Sequence, residues 1–142
     1  MPDWIARGTD EYARRLPARW GFRLREHPQA RADDGPTRSR REAETLAGAL
    51  DARAHVVALD ERGRLHDTAA LAGRLRFWEG LGKPVELVVG GPDGLGDAVR
   101  DRADETWSLS RLTFPHPLVR VLVLEQLYRA DSLASNHPYH RA

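Results

Sequence analysis

The chain lacks cysteine, long apolar runs and, apart from Lys83, lysine. The absence of cysteine excludes thiol catalysis, thiolate metal sites and iron–sulfur clusters, and it is compatible with a reducing compartment. No run approaches the roughly 18 apolar residues of a membrane-spanning helix. The first residues, MPDWIARGTDEYARR, lack the apolar centre of a signal peptide. We therefore expect a soluble, cytoplasmic protein without a membrane partner.

The basic residues are almost all arginine. They number 22 against 21 acidic residues, so the formal net charge of +1 gives no whole-molecule argument for nucleic acid. Five arginines nevertheless crowd into one early region, and the planar guanidinium suits phosphate because it donates two parallel hydrogen bonds. A solvated, arginine-rich face is the alternative. The five are Arg14, Arg15, Arg19, Arg23 and Arg25.

Apolar periodicity and turn residues predict helices that alternate with strands. A chain of 142 residues suits a single domain, which we place at residues 1–142. Helical spacing and apolar runs predict the individual elements. The predicted helices are residues 2–16, a helix that opens at a Ser39/Glu42 capping box, 71–78 and 97–106, and the predicted strands are 20–25, 54–59 and 85–89. This order indicates an α/β domain with a largely parallel sheet, in which ligands bind beyond the carboxyl ends of the strands.

Two segments follow predicted buried strands, residues 59–63 and the glycine turn GGPDG at residues 90–94. Glycines there let a ligand approach the backbone, whose N–H groups can hold polar atoms. An ordinary Pro-Asp-Gly turn is the alternative. The glycine turn is not a P-loop, because no Gly-Lys-Ser/Thr follows it, and Val99 stands where a dinucleotide fingerprint has its third glycine. Both ATP chemistry and a Rossmann redox enzyme are therefore disfavoured.

Beyond the glycine turn the sequence contains a short run with hydroxyl side chains and then an apolar helix. Ser108, Ser110 and Thr113 in a short strand-like run could supply hydroxyls to a ligand, or they are ordinary turn and edge residues. A serine hydrolase is disfavoured because no Gly-x-Ser-x-Gly elbow surrounds them. Residues 118–128 are apolar nearly all round, so this helix must be buried, either within the domain or against a second subunit.

The tail, NHPYHR at residues 136–141, carries aromatic rings and a cation that could stack on and pair with a nucleotide. A disordered terminus is the alternative. His116, His137 and His140 are residue types that bind metals, but Pro138 opposes a helix that would put the last two on one face. We therefore expect no metal site.

Four motifs occur together in one order: MPDW, VELVVGGPDGL, TWSLSRLTFPHPLVRVLVLEQLYRA and NHPYHR. In this combination the chain resembles, over nearly its whole length, the RlmH family, bacterial SPOUT-class methyltransferases of large-subunit (23S) ribosomal RNA. The resemblance implies a homodimer with a C-terminal trefoil knot that holds S-adenosylmethionine in a bent shape. It also implies methylation at N3 of a pseudouridine in the assembled ribosome. A non-catalytic protein that keeps the SPOUT fold and binds RNA or ribosomes is the alternative.

The resemblance carries residue roles with it. The tail residues Tyr139, His140 and Arg141 would meet the target base or its phosphates. His140 is the candidate acceptor for the N3 proton, with a water or a ribosomal group as alternatives. Cofactor contacts, mostly through the backbone, would come from Leu59, Gly90, Leu109, Ser110, Arg111, Leu112, Thr113 and Phe114.

Members of the family normally begin with a strand that ends in a Gly-Thr-Lys-like turn before the segment that corresponds to MPDW. This chain starts at the methionine of that segment. We therefore expect the N-terminal strand to be missing from the sheet, which would leave backbone groups of its neighbour unpaired.

Overall fold

The computed structural model describes residues 2–28, 31–90 and 94–141, and for residues 140 and 141 it describes only the backbone. The chain divides into two compact units. The first, called the helical unit below, comprises Met1–Arg25, His66–Gly80 and Pro117–Ala142. The second, the sheet unit, comprises Glu26–Leu65 and Leu81–His116. A single domain over residues 1–142 stays a prediction.

The sheet unit is built on parallel strands. Its described residues form a three-stranded sheet from β1 (His55–Leu65), β2 (Val85–Val89) and β3 (Glu105–Ser108), in the order β2-β1-β3. Both outer strands run parallel to β1. The first half of β1 is a continuous buried run, as is typical of a central parallel strand. The predicted α/β fold with a parallel sheet is therefore confirmed.

One face of the sheet packs against α2 (Gly35–Ala49) and α4 (Asp97–Arg102). Alternate residues of a strand point to the same face, which brings Ala54, Val56 and Ala58 together. Full burial of a valine side chain stabilises the fold by about 1.5–3 kcal/mol. The buried cluster comprises Ala43, Ala54, Val56, Ala58, Val88, Leu95 and Val99.

The start of α2 differs from the prediction. Asp34, not Ser39, caps the helix: its carboxylate accepts a hydrogen bond of 2.7 Å from the Thr37 backbone N–H. That hydrogen bond holds the pKa of Asp34 below its usual range. Pro36 lies in the first turn, where its missing N–H removes no helical hydrogen bond. The predicted capping box was therefore wrong, because α2 begins earlier and Asp34 is its N-cap residue.

The register of the strands places Leu59, inside β1, between the carboxyl-terminal residues of β2 and β3. Leu59 of β1 pairs with Val89 of β2 and with Trp107 of β3. Beyond Leu59 the register with β3 shifts, and Arg64 also pairs with Trp107. At Gly63 a Cβ atom would lie 2.5 Å from the Trp107 carbonyl carbon. This close backbone approach explains a glycine at that position.

The helical unit contains α1 (Asp3–Arg15), α3 (Thr68–Glu79) and, from its second residue on, α5 (His116–Ala134). The Thr68 hydroxyl of α3 donates a hydrogen bond of 2.9 Å to Gln126 of α5. Arg19, in the short 3-10 helix Ala18–Trp20, lies 3.4 Å from Glu79 and 3.2 Å from Asp131, so it joins the ends of α3 and α5. None of the described helices is long and apolar enough to cross a membrane.

Two predicted elements differ in the structure. The predicted strand at residues 20–25 is absent: residues 21–28 are exposed and belong to no helix or strand. Alternation marks a strand only where a neighbour supplies backbone partners. The predicted helix at 97–106 ends at Arg102, because Asp104 N–H donates to the Val56 carbonyl over 2.8 Å and starts the pairing of β3. The strand-like Ser/Thr run is a strand only as far as Ser108.

Candidate functional site

The structure brings the predicted cofactor residues of the sheet unit to one edge of the sheet. Leu59 is the last residue of β1 before its register shifts, and Gly90 directly follows β2. Residues 109–114 directly follow β3. Because neighbouring strands are parallel and Leu59 pairs with Val89 and Trp107, Leu59 lies beside the positions where the chain leaves β2 and β3, although β1 itself continues to Leu65. This is the edge where α/β sheets bind ligands.

Gly90 lies where the chain folds back on itself. A Cβ atom built on Gly90 would be 2.7 Å from the Gly94 carbonyl carbon and 2.9 Å from the Leu95 nitrogen. Gly94 has a φ of 80°, a conformation that glycine adopts without strain. The middle of the turn, residues 91–93, lies outside the described residues. The close approach at Gly90 therefore comes from the chain itself, and a ligand there stays a prediction.

Serine hydroxyls shape the loop after β3. Ser108 is buried, and its hydroxyl donates a hydrogen bond of 2.8 Å to the Ser110 carbonyl. The Ser110 hydroxyl accepts a hydrogen bond of 3.0 Å from the Leu112 backbone N–H. Leu112 itself is 71% exposed, and Arg111 and Thr113 are exposed as well. The loop thus uses its hydroxyls to fix its own backbone and presents an apolar side chain outward.

A carboxylate beside Leu59 ties this edge to α4. Asp60 Oδ2 accepts a hydrogen bond of 2.7 Å from Arg100 Nε, and its Oδ1 accepts one of 2.9 Å from the Arg62 backbone N–H. The Asp60 side chain is only 5% exposed. Burial opposes its ionisation, but the hydrogen bonds from Arg62 and Arg100 outweigh that effect and lower the pKa of Asp60.

Sequence reasoning singled out the segment that contains Asp60 but missed its partner. Arg100 also lies 3.1 Å from Asp97, the first residue of α4. Spacing of three on a helix indicates that pair. The contact with Asp60 joins residues that are 40 positions apart in the sequence, and no local pattern indicates it. Only the three-dimensional fold reveals it.

The tail belongs to the helical unit. Residues Pro138–Arg141 form a 3-10 helix, and Tyr139 is half-buried within it. The Tyr139 hydroxyl lies 3.2 Å from the Tyr12 hydroxyl and 3.3 Å from Glu125 Oε1. Burial, followed by these two neighbours, raises the pKa of Tyr139. The side chains of His140 and Arg141 lie outside the described residues, so their contacts stay a prediction.

Charge is distributed unequally between the two units. The helical unit carries eleven basic and seven acidic residues, whereas the sheet unit carries eleven basic and fourteen acidic residues. The basic excess lies mainly in residues 1–25, which contain six arginines and three acidic residues. A net charge of +1 conceals this segregation. The unit that holds the tail is therefore the one that attracts anions.

Comparison with known families identifies the class of protein to which this parallel α/β fold belongs. The family model described as "Predicted SPOUT methyltransferase" matches residues 1–140. The chain belongs to this family. The resemblance of its motifs to SPOUT-class methyltransferases is thereby confirmed.

Individual relatives carry a more specific name. A protein of Methylococcus capsulatus named "Ribosomal RNA large subunit methyltransferase H" is 50% identical over 144 residues, which cover 99% of this chain and 93% of the relative. Proteins of the same name are 47% identical in Dichelobacter nodosus, covering 100% and 93%, and 49% identical in Thioalkalivibrio sulfidiphilus, covering 99% and 92%. The similarity thus extends over nearly all of each protein.

Proposed function

We propose that this chain transfers a methyl group from S-adenosylmethionine to N3 of a pseudouridine in large-subunit ribosomal RNA, within the assembled cytoplasmic ribosome. The observation that carries the proposal is the meeting of Leu59, Gly90 and the loop 109–114 at one sheet edge of a SPOUT methyltransferase. The name shared by the relatives supports ribosomal RNA of the large subunit as the substrate. The finer assignment to N3 of a pseudouridine rests on the resemblance of the motifs.

The residues at the sheet edge suit the cofactor. Adenine needs backbone hydrogen-bond partners and an apolar surface, and the loop 109–114 offers main-chain groups beside the exposed Leu112. The methyl donor is a sulfonium cation, and the sheet unit carries the acidic excess of the molecule. The cofactor supplies an activated methyl group when bound. Leu59, Gly90 and residues 109–114 would bind and orient it, so that placement against the acceptor nitrogen supplies much of the rate.

The helical unit suits the RNA. Its arginines give it a basic excess, and guanidinium groups bind phosphate. Arg23 and Arg25 lie in the exposed segment after α1, beside the exposed Phe22. Basic residues interleaved with aromatic rings suit single-stranded RNA, whose bases stack on such rings. We assign the phosphate contacts to this unit.

The proton on N3 needs an acceptor. Tyr139 is unsuited to the role, because its raised pKa keeps the hydroxyl protonated at neutral pH. His140 follows it directly and has an imidazole that can accept a proton near pH 7. We assign the proton to His140, and Arg141 to the base or its phosphates.

A second copy of the chain completes the proposal. Val123, Leu124 and Leu127 of α5 are buried, but the apolar Leu118, Val119 and the rest of its first turns are only half-buried. Burial of apolar area is the main driving force for association. We therefore place the homodimer contact on the N-terminal half of α5, with the trefoil knot of the family in the same C-terminal region.

Methyl transfer separates the proposal from its alternative. Purified protein is incubated with assembled ribosomes and S-adenosylmethionine carrying a tritiated methyl group, and the labelled nucleoside is then identified. We expect label in large-subunit RNA at pseudouridine. A non-catalytic ribosome-binding protein with the same fold would instead co-sediment with ribosomes and incorporate no label.

A further inference from the structure

We infer that Tyr139 is a positioning residue, held by a tail-binding cluster of Tyr12, Arg15, Glu125, Tyr128 and Arg129, and that it leaves substrate contact to the two residues after it. This inference rests on the proposed function, which assigns the tail to the substrate. The cluster lies within the helical unit and draws on α1 and α5. It gives roles to five side chains that the motif comparison did not assign.

A fixed turn directs the chain toward the cluster. Asn136 follows α5 with a φ of 58°, a left-handed conformation that asparagine tolerates better than most residues. The His137 N–H donates to the Ser132 carbonyl over 2.7 Å, and the Asn136 N–H donates to the Leu133 carbonyl over 3.3 Å. This pair of hydrogen bonds defines a Schellman motif. The tail therefore leaves α5 in a defined direction.

The Tyr139 side chain then enters the cluster with both its hydroxyl and its ring. A hydroxyl can donate one hydrogen bond and accept others, so the contacts with Tyr12 and Glu125 at 3.2 and 3.3 Å can be made together. The Tyr139 ring lies 4.5 Å from the Tyr128 ring, centroid to centroid, at a tilt of 55°. That separation is in the favourable range for aromatic pairs.

Two arginines surround these rings. Arg129 donates from Nε to Glu125 over 2.8 Å while its guanidinium lies 5.0 Å from the Tyr139 ring centroid. The Arg15 guanidinium lies 5.1 Å from the Tyr12 ring and 5.9 Å from the Tyr139 ring. Cation–π contacts of this length are attractive. Tyr139 is thus held by polar, aromatic and cationic groups at once.

Such an arrangement constrains the residues that follow. Consecutive Cα atoms are about 3.8 Å apart, so His140 cannot move far from a fixed Tyr139. A group that must meet a reacting atom gains from this restriction, because small misplacements can lower rates by about 100-fold. Tyr139, by contrast, already has partners within the chain for its hydroxyl and its ring.

The test compares Tyr139→Phe, Tyr139→Ala and Glu125→Gln with the unaltered protein. Hydrogen exchange of the tail reports on docking without any need for activity. We expect faster exchange at residues 136–141 in Tyr139→Ala. We also expect a fall in kcat of about 100-fold on ribosomes and an unchanged Kd for S-adenosylmethionine. Tyr139→Phe loses the hydroxyl contacts with Tyr12 and Glu125, and Glu125→Gln removes the charge that pairs with Arg129. Both keep the Tyr139 ring and its contact with Tyr128, so each should lower kcat by only about two- to tenfold.

If Tyr139→Ala does not fold, Tyr139→Phe and Glu125→Gln still test the inference. The inference is overturned if Tyr139→Phe is as inactive as Tyr139→Ala while tail exchange is unchanged, because the hydroxyl would then act on the substrate. It is also overturned if no variant alters tail exchange. Absence of methyl transfer by the unaltered protein would reject the proposed function instead, and faster tail exchange in Tyr139→Ala would still support the docking.

Discussion

The sheet edge and the tail are held in shape in opposite ways. At the sheet edge the contacts involve the main chain: Gly90 packs against its own loop, and the hydroxyls of Ser108 and Ser110 bond to backbone groups. In the tail they involve side chains, with the Tyr139 hydroxyl between Tyr12 and Glu125. The two regions also differ in charge, since the sheet unit is acidic and the helical unit basic.

This difference predicts which substitutions each region tolerates. A site made of backbone tolerates many side-chain changes but not a change that moves the main chain. A site made of side chains fails residue by residue, in proportion to the contact that is lost. Substitutions that move the main chain and substitutions that remove a side-chain contact therefore test this difference.

The largest effect is expected for Gly90→Val. Its Cβ would lie 2.7 Å from the Gly94 carbonyl carbon, so the loop must shift. We expect calorimetry to detect no binding of S-adenosylmethionine, and the free energy of unfolding to fall by about 1–3 kcal/mol, as for other overpacked sites. The control is Gly48→Ala in α2, where an added Cβ meets no described atom within 4 Å. That change should be neutral or slightly stabilising; unaltered affinity in Gly90→Val would show that the turn takes no part in binding.

Next in size is His140→Ala. A general base contributes typically 10²–10⁴-fold, so we expect kcat on ribosomes to fall by about 100-fold or more while cofactor affinity stays the same. His27→Ala, an exposed histidine outside both regions, serves as the control. Equal loss of cofactor affinity would place His140 in the cofactor site. Unchanged kcat would assign the proton to another acceptor.

A smaller effect is expected for Asp60→Asn. Because Asp60 has a lowered pKa in the folded chain, its stabilising contribution is present above the unfolded value of about 3.9 and is lost as the pH falls through the folded value. At pH 7 the substitution should cost about 1.5–3 kcal/mol, typical of a hydrogen bond to a charged group. Urea unfolding is measured between pH 7 and pH 2. The free energy of unfolding should fall less with acid in Asp60→Asn than in the unaltered protein.

Asp97→Asn is the matched control for Asp60→Asn. Asp97 also pairs with Arg100, at 3.1 Å, but its side chain is 91% exposed. Exposed pairs contribute about 0–1 kcal/mol. Equal destabilisation by the two substitutions would mean that burial of Asp60 at the sheet edge has no special importance.

The smallest effect concerns the charge difference. Arg23→Gln in the helical unit should weaken ribosome binding and reduce the slope of log K against log salt by about 1, as expected for the loss of one phosphate contact. Arg53→Gln removes an exposed cation from the sheet unit and should leave the slope unchanged. Equal slopes for the two variants would contradict the assignment of phosphate contacts to the helical unit.

The sequence predicts those parts of the fold that depend on local pattern. The strand Val85–Val89 and the helix around residues 71–78 are where the apolar pattern predicts them. The helix buries Leu71, Leu75 and Trp78, which recur at helical spacing. The strand at residues 20–25 was predicted wrongly, because pairing depends on a neighbour that alternation does not reveal. The contact of Asp60 with Arg100 could not be predicted either, since nothing local links residues 40 apart.

Hydrogen exchange with and without S-adenosylmethionine tests the central claim most directly. If the backbone at the sheet edge holds the cofactor, saturating cofactor should slow exchange in peptides that cover residues 56–62, 88–90 and 108–114. The surface of α2 around the exposed Gly48 should exchange at the same rate with and without it. Binding detected by calorimetry without protection at residues 108–114 would contradict the account.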